Sequence, residues 1–194
     1  KPQAEAATLD AGARRQALAS ELFDFVQERL RGYYADQGFA TAAFDAVLAV
    51  RNPDLVDFDR RLRAISGFAG SPAAASLVAA QKRVSNILRK STETEDGQQD
   101  RSGPHAIRPE LFESPAEAAL ADILDKLSRD NAERLRQADY VGVLERLALL
   151  QGPVDGFFDE VMVNAENPAV RANRLALLES LQQQLLAVAD ISRL

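Results

Sequence analysis

Lys82-Arg83-Val84-Ser85-Asn86-Ile87-Leu88-Arg89-Lys90 is the stretch on which the fold of this 194-residue chain turns. At the α-helical advance of about 100° per residue, with Lys82 at zero, Arg89, Asn86, Lys90 and Arg83 fall at roughly −20°, 40°, 80° and 100°. On the same wheel Ile87, Val84 and Leu88 fall at roughly 140°, 200° and 240°, so four cations and an amide share one arc of about 120° and the apolar stripe lies opposite. This is an amphipathic helix with one face in a core. Traced upstream through Leu77, it reaches Ser71-Pro72, a capping residue followed by proline at the first helical position, where a missing N–H costs nothing.

The same devices recur along the chain. Leu18, Leu22, Phe25, Val26 and Leu30 form an apolar stripe that predicts a helix over about 14–31, broken by Gly32 and a connection over 33–38. A short helix follows over about 40–50. Asn52-Pro53 predicts the start of another, through Leu55, Phe58, Leu62 and Ile65 to Gly67. Ser114-Pro115-Ala116-Glu117 is a capping box, and Leu120, Ile123, Leu124 and Leu127 carry its helix toward Ala138. A helix over about 139–150 ends at Gly152-Pro153, and 153–163 reads as a short apolar helix with Phe157, Phe158 and Met162 in the core. Asn167-Pro168 opens the last helix, through Leu175, Leu178, Leu181, Leu185 and Val188. The expectation is an all-α bundle of roughly eight helices, and no repeat at solenoid periods recurs.

Composition agrees. Alanine and leucine supply 59 residues, whereas valine, isoleucine, threonine and the aromatics together supply 34, which favours helix over strand. Residues 91–104 contain nothing apolar and read as a mobile polar loop, and 1–13 read as a flexible leader, leaving 14–194 as the helical domain. A chain starting at Lys1 suggests processing or a fragment of something longer. Without cysteine there is no disulfide, zinc-thiolate or iron–sulfur chemistry, and the single His105 excludes a two-imidazole site and reads as an exposed loop residue. No window reaches the ~20 apolar residues of a membrane span, and the start lacks a signal peptide's features. A cytoplasmic protein without a membrane partner is expected.

The net charge of −6 argues against a nucleic-acid partner until its distribution is read. The deficit lies wholly beyond Gly97. Residues 51–90 hold Arg51, Arg60, Arg61, Arg63, Lys82, Arg83, Arg89 and Lys90 against Asp54, Asp57 and Asp59, a net of +5. Cations on the Lys82–Lys90 arc suit phosphates and Asn86 suits a base edge, although solvated cations near a helix C-terminus give the same pattern. Arg60, Arg61 and Arg63 either extend that basic surface or pair with the three nearby aspartates. Gly67-Phe68-Ala69-Gly70 matches a backbone-clamping GxxG string but lacks strands around it and reads as a helix end. Asp122, Asp125, Asp155, Asp159 and Glu160 read as solvated carboxylates, and no glycine-rich phosphate cradle or catalytic constellation is present.

The string KR-x-x-NIL at 82–88 resembles the signature of the DALR-type helical anticodon-binding domain of arginyl-tRNA synthetases and of the bacterial glycyl-tRNA synthetase beta subunit. Residues 153–163, 171–178 and 188–192 resemble the end of the latter family, as do Gln37-Gly38-Phe39 and 44–49. The resemblance spans about 18–194 and departs at Arg193 and the polar loop. It implies a domain, non-catalytic alone, that holds the anticodon arm of a glycine-specific tRNA, with no DNA partner. By resemblance the intact enzyme is a two-alpha, two-beta assembly that uses ATP and magnesium at a class II core in the alpha subunit, and no cofactor belongs to this fragment.

For contact with tRNA the resemblance implicates Lys82, Arg83, Asn86, Arg89 and Lys90, with Arg171 and Arg174 of a family motif and Arg60, Arg61 and Arg63 of the neighbouring basic cluster as secondary candidates. Arg171, Asn173 and Arg174 lie in a family motif and could equally fix helix packing. A helical scaffold that docks subunits without touching RNA is the competing expectation, motivated by the acidic net charge and the leucine-rich final helix.

Overall fold

The computed structural model describes residues 14, 18, 21–22, 25–51, 54–94 and 106–194. The expected leader at 1–13, Asn52-Pro53, His105 and most of the polar loop lie outside them. Among the described residues the secondary structure is helical throughout. Residues 25–36 lie in helix α1, followed by α2 Thr41–Leu48, α3 Leu55–Phe68, α4 Pro72–Thr94, α5 Pro115–Arg136, α6 Tyr140–Leu147, α7 Gln151–Glu160 and α8 Pro168–Leu185, with 3-10 turns at Pro109–Leu111, Ala148–Leu150 and Ile191–Arg193.

The helices before residue 95 and those after residue 105 interleave. α3 packs on α6, α4 on α8 and α7, and one hydrophobic cluster runs from Tyr34 to Ile191. Its densest corner is aromatic, with ring centres of Phe44 and Phe58 5.0 Å apart and Tyr34 6.0 Å from Phe58. Burial and a hydrogen bond to Asp59 push the Tyr34 phenol up to about 12. The C-terminal segment closes the bundle, because Val188, Ala189 and Ile191 are fully buried and the Asp190 N–H donates to the Ala46 carbonyl at 2.8 Å.

Several expectations are corrected. Gly32 does not end α1, which runs to residue 36 because Tyr34 is drawn onto Phe39, Phe44 and Phe58; the chain turns instead at Gly38, whose φ is +85°. Of the stripe that marks this helix, Leu18, Leu22 and Phe25 are 60–66% exposed. Asp54, accepting from the Val56 and Asp57 amides, caps α3. The Ser71 hydroxyl makes no cap bond: its oxygen is buried without a partner among the described residues. α4 continues to Thr94, into the expected loop, where Ser91 and Thr92 hydroxyls donate to the Leu88 carbonyl. Gly152-Pro153 breaks nothing, since the 3-10 turn runs directly into α7 and Pro153 sits in its first turn, where its amide has no intrahelical partner to lose. Met162 is exposed, although Phe157 is buried as expected.

Candidate nucleic-acid interface

α4 presents the arc that the wheel describes. Leu77 and Val84 are fully buried, Ile87 and Leu88 are half-buried, and Lys82, Arg83, Asn86, Arg89 and Lys90 are all exposed. Below the arc, Ser85 accepts a hydrogen bond from the Gln182 amide of α8 at 3.2 Å. Because α4 runs to Thr94, its last turn holds no basic residue. Complementing the helix C-terminus therefore does not account for these cations.

Arg83 rests on an aromatic ring. Its guanidinium lies 4.0 Å from the centre of the Phe158 ring, and it shares a small hollow between α4 and α7 with Ser76, Asp155 and Asp159. Phe158 thus holds the edge of the basic arc through a cation–π contact. Sequence reading missed this platform because Phe158 lies 75 positions away and only tertiary packing brings it to α4.

The three arginines of α3 separate into different roles. Arg60 is exposed. Arg63 is exposed but pairs with Asp59 at 2.8 Å, whose carboxyl is held below the usual range chiefly by that guanidinium. Arg61 turns inward. Its Nε donates to Asp57 at 2.6 Å, its Nη1 donates to the Ala187 and Val188 carbonyls at 2.9 and 2.8 Å, and its guanidinium lies 4.4 Å over the Tyr140 ring. Tyr140 also donates to Asp57. Arg61 is thus a strut joining α3, α6 and the C-terminal segment.

The cluster in α8 is likewise spent on packing. Arg174, 6% exposed, donates to Glu117 at 2.9 Å, Glu113 at 2.8 Å and the Met162 carbonyl at 3.0 Å. Glu117 is fully buried and accepts the Glu113 and Ser114 amides as the acidic half of the α5 capping box. Asn173 clamps the backbone of Arg108 by accepting its N–H at 2.8 Å and donating to its carbonyl at 3.0 Å. Arg171 is half-buried. The structure brings Lys82, Asn86, Arg89, Lys90 and Arg83 to one face and takes Arg61 and Arg174 away from it.

The family described as DALR anticodon binding domain matches residues 77–191, from within α4 to the closing 3-10 turn and more than half of the chain. The chain belongs to the DALR anticodon-binding domain family. It is also 47% identical over 92% of its length to the glycine–tRNA ligase beta subunit of Xanthomonas campestris pv. campestris (strain 8004). The corresponding subunits of Xylella fastidiosa (strain M12) and Haemophilus influenzae (strain 86-028NP) are 46% and 44% identical over 93% and 92% of the chain. The chain spans about a quarter of the length of these relatives. Among the described residues, this DALR domain contains no group of three or more side chains suited to a metal and no helix long and apolar enough to cross a membrane.

Proposed function

We propose that the exposed arc of α4 binds the anticodon arm of a glycine tRNA. Lys82, Arg89, Lys90 and Arg83 meet the phosphates and Asn86 meets a base edge. The observation that supports this reading is the match to a family described as anticodon-binding over 77–191, a range that includes the basic arc. The chain then serves as part of a cytoplasmic glycine–tRNA ligase beta subunit. It fixes one end of the tRNA so that the acceptor end reaches a distant alpha-subunit core, where ATP and magnesium are used in a two-alpha, two-beta assembly. Such a contribution is one of positioning.

The scaffold alternative loses one of the two features that suggested it, the leucine-rich final helix, and keeps only the acidic net charge. Leu177, Leu178, Leu181 and Leu185 of α8 are fully buried, so the leucine-rich helix spends its apolar side inside the bundle.

Titration of the full chain with a fluorescent glycine-anticodon stem–loop tests the proposal. Binding that weakens with salt and drops at least tenfold in Lys82→Glu/Arg89→Glu, with an unchanged helical circular-dichroism spectrum, is expected. Wild-type affinity in that double variant removes α4 from the site.

A further inference from the structure

Helix α1 is apolar on two sides. Leu18 and Leu22, both helical, continue its line toward the start of the chain. At about 100° per residue, with Leu18 at zero, Phe25, Arg29, Leu22 and Tyr33 fall at roughly −20°, 20°, 40° and 60°. Leu30, Tyr34 and Gln27 fall at roughly 120°, 160° and 180°. That second arc is the packed side, with Tyr34 and Gln27 buried and Leu30 against the core. The first arc faces away from it, and Leu18, Leu22, Phe25 and Tyr33 are 57–66% exposed. A helix with apolar residues on opposite sides belongs between two bodies, and the bundle supplies one of them. Two leucines and two aromatics in a single stripe expose several hundred Å² of apolar surface, a size that on a soluble chain marks an interaction site.

Spacing gives the shape of the second body. Leu18, Leu22, Phe25 and Arg29 recur at intervals of four, three and four residues, the seam of a helix that pairs with another helix. Charge then selects among helices. In an antiparallel pair of two copies of α1, Glu21 and Glu28, which flank the seam, would face the same carboxylates of the other copy. In a parallel pair, Arg29 would meet Arg29 inside the seam. Like charges thus oppose self-pairing in both directions. The Arg29 guanidinium, 5.5 Å from the centre of the Phe25 ring, suits an acidic side chain opposite it, and the Glu21–Glu28 flank suits basic ones. About three quarters of the length of the matching beta subunits lies outside this chain and can supply such a helix.

We infer that the exposed stripe of Leu18, Leu22, Phe25 and Tyr33 docks on an amphipathic helix in the remainder of the beta subunit, one that sets an acidic side chain against Arg29 and basic ones against Glu21 and Glu28. This rests on the part of the proposed function that makes the chain a piece of such a subunit, and not on where RNA binds. The contact fixes the bundle, and with it the α4 arc, relative to the rest of the subunit, which is the rigidity that positioning a tRNA requires.

Hydrogen–deuterium exchange, measured without tRNA on the full-length beta subunit and on the 194-residue chain, tests the docking. The α1 amides are expected to exchange at least tenfold more slowly in the full subunit, while those of α5 and α8 exchange alike in both. Leu22→Glu/Phe25→Glu replaces two exposed side chains, so it should leave the circular-dichroism spectrum and stem–loop affinity of the chain unchanged. In the full subunit it removes the protection of α1. Arg29→Glu keeps the apolar stripe and is expected to lower the protection several-fold. Equal exchange of α1 in the two proteins, or full protection in both variants, overturns the docking. So does protection already present in the 194-residue chain. If that protection disappears together with a dimer seen by light scattering, the stripe belongs to a second copy; if it disappears on deletion of residues 1–13, it belongs to the start of the same chain. Protection that arises only on adding glycine tRNA gives the stripe to RNA and overturns the docking as well. Absence of stem–loop binding by the unaltered chain overturns the RNA reading of α4 and leaves the α1 result standing.

Discussion

At the scale of single residues, Arg174 and Glu117 matter most to stability, because one is nearly and the other fully buried and each satisfies the other. Removing one partner of such a pair strands a buried charge, so Arg174→Met is expected to cost about 3–5 kcal/mol, measured by urea unfolding. The pair also sets an acid limit. Burial by itself would raise the Glu117 carboxyl, but the Arg174 guanidinium and the Glu113 and Ser114 amides outweigh it and hold the group below the usual carboxylate range. A carboxyl depressed in the fold contributes stability that is fully present above its unfolded value and is lost as pH falls through its folded value. Thermal stability should therefore decline as pH drops below about 4.3, the ordinary glutamate value, and Glu117→Gln should start lower and show a flatter decline. An equally steep acid decline in Glu117→Gln would transfer the effect to Asp59 and the other depressed carboxyls. The sequence shows the Ser114–Glu117 capping box and admits a packing role for Arg174, but not that the Glu117 and Arg174 side chains meet. Arg61 and Arg63 project about 200° apart on α3, and the Tyr140 ring with the Ala187 and Val188 carbonyls, all distant in sequence, hold Arg61 inward while Arg63 stays on the surface.

At the scale of elements, the junction of α5 and α6 shows how tightly a helix can stop and restart. The Asp139 N–H donates to the Arg134 carbonyl and the Ala138 N–H to that of Leu135, a Schellman closure in which Ala138 occupies the left-handed position at φ 54° without glycine. Asp139 then caps α6 by accepting the Gly142 amide while also pairing with Arg134. A Cβ on Gly142 would collide with both the Asp139 carboxyl and the Arg134 guanidinium. Gly142→Ala is therefore expected to cost about 1–2 kcal/mol, the worth of the lost cap. Ala138→Val, a β-branched residue at positive φ, is expected to cost about 1–3 kcal/mol, and calorimetric melting of the two variants checks both values. Local signals of this kind were legible where they are complete within four residues: the Ser114 box and the Asn167 cap stand where the sequence puts them. They misled where tertiary burial outweighed them. Gly32 costs its helix about 1 kcal/mol, less than packing Tyr34 into an aromatic cluster returns.

At the scale of the molecule, a charge of −6 coexists with the basic face of α4, and acidic and basic side chains come together in the hollow at Arg83. Phosphates neutralised on a single-stranded loop release counterions, giving a slope of about −0.7 in log affinity against log salt for each cation engaged. Lys82, Arg89 and Lys90 give about −2, and full engagement of Arg83 brings the total near −3. Arg83, however, shares its hollow with Asp155 and Asp159, and carboxylates on the same hollow oppose the approach of a phosphate. Neutralising both, in Asp155→Asn/Asp159→Asn, is expected to strengthen stem–loop binding and steepen the slope by about 0.7 as Arg83 becomes fully available. Neutralising Asp122 and Asp125 on α5 removes the same formal charge from a helix that does not line that hollow. It should raise affinity only at low ionic strength and leave the slope near −2 to −3, because charges beyond the ~10 Å screening length at 0.1 M salt act only as a weak background. Parallel salt titrations of the two double variants separate a local competitor from a global repulsion. Equal slopes in both would mean that the acidic α7 edge does not tune the basic face.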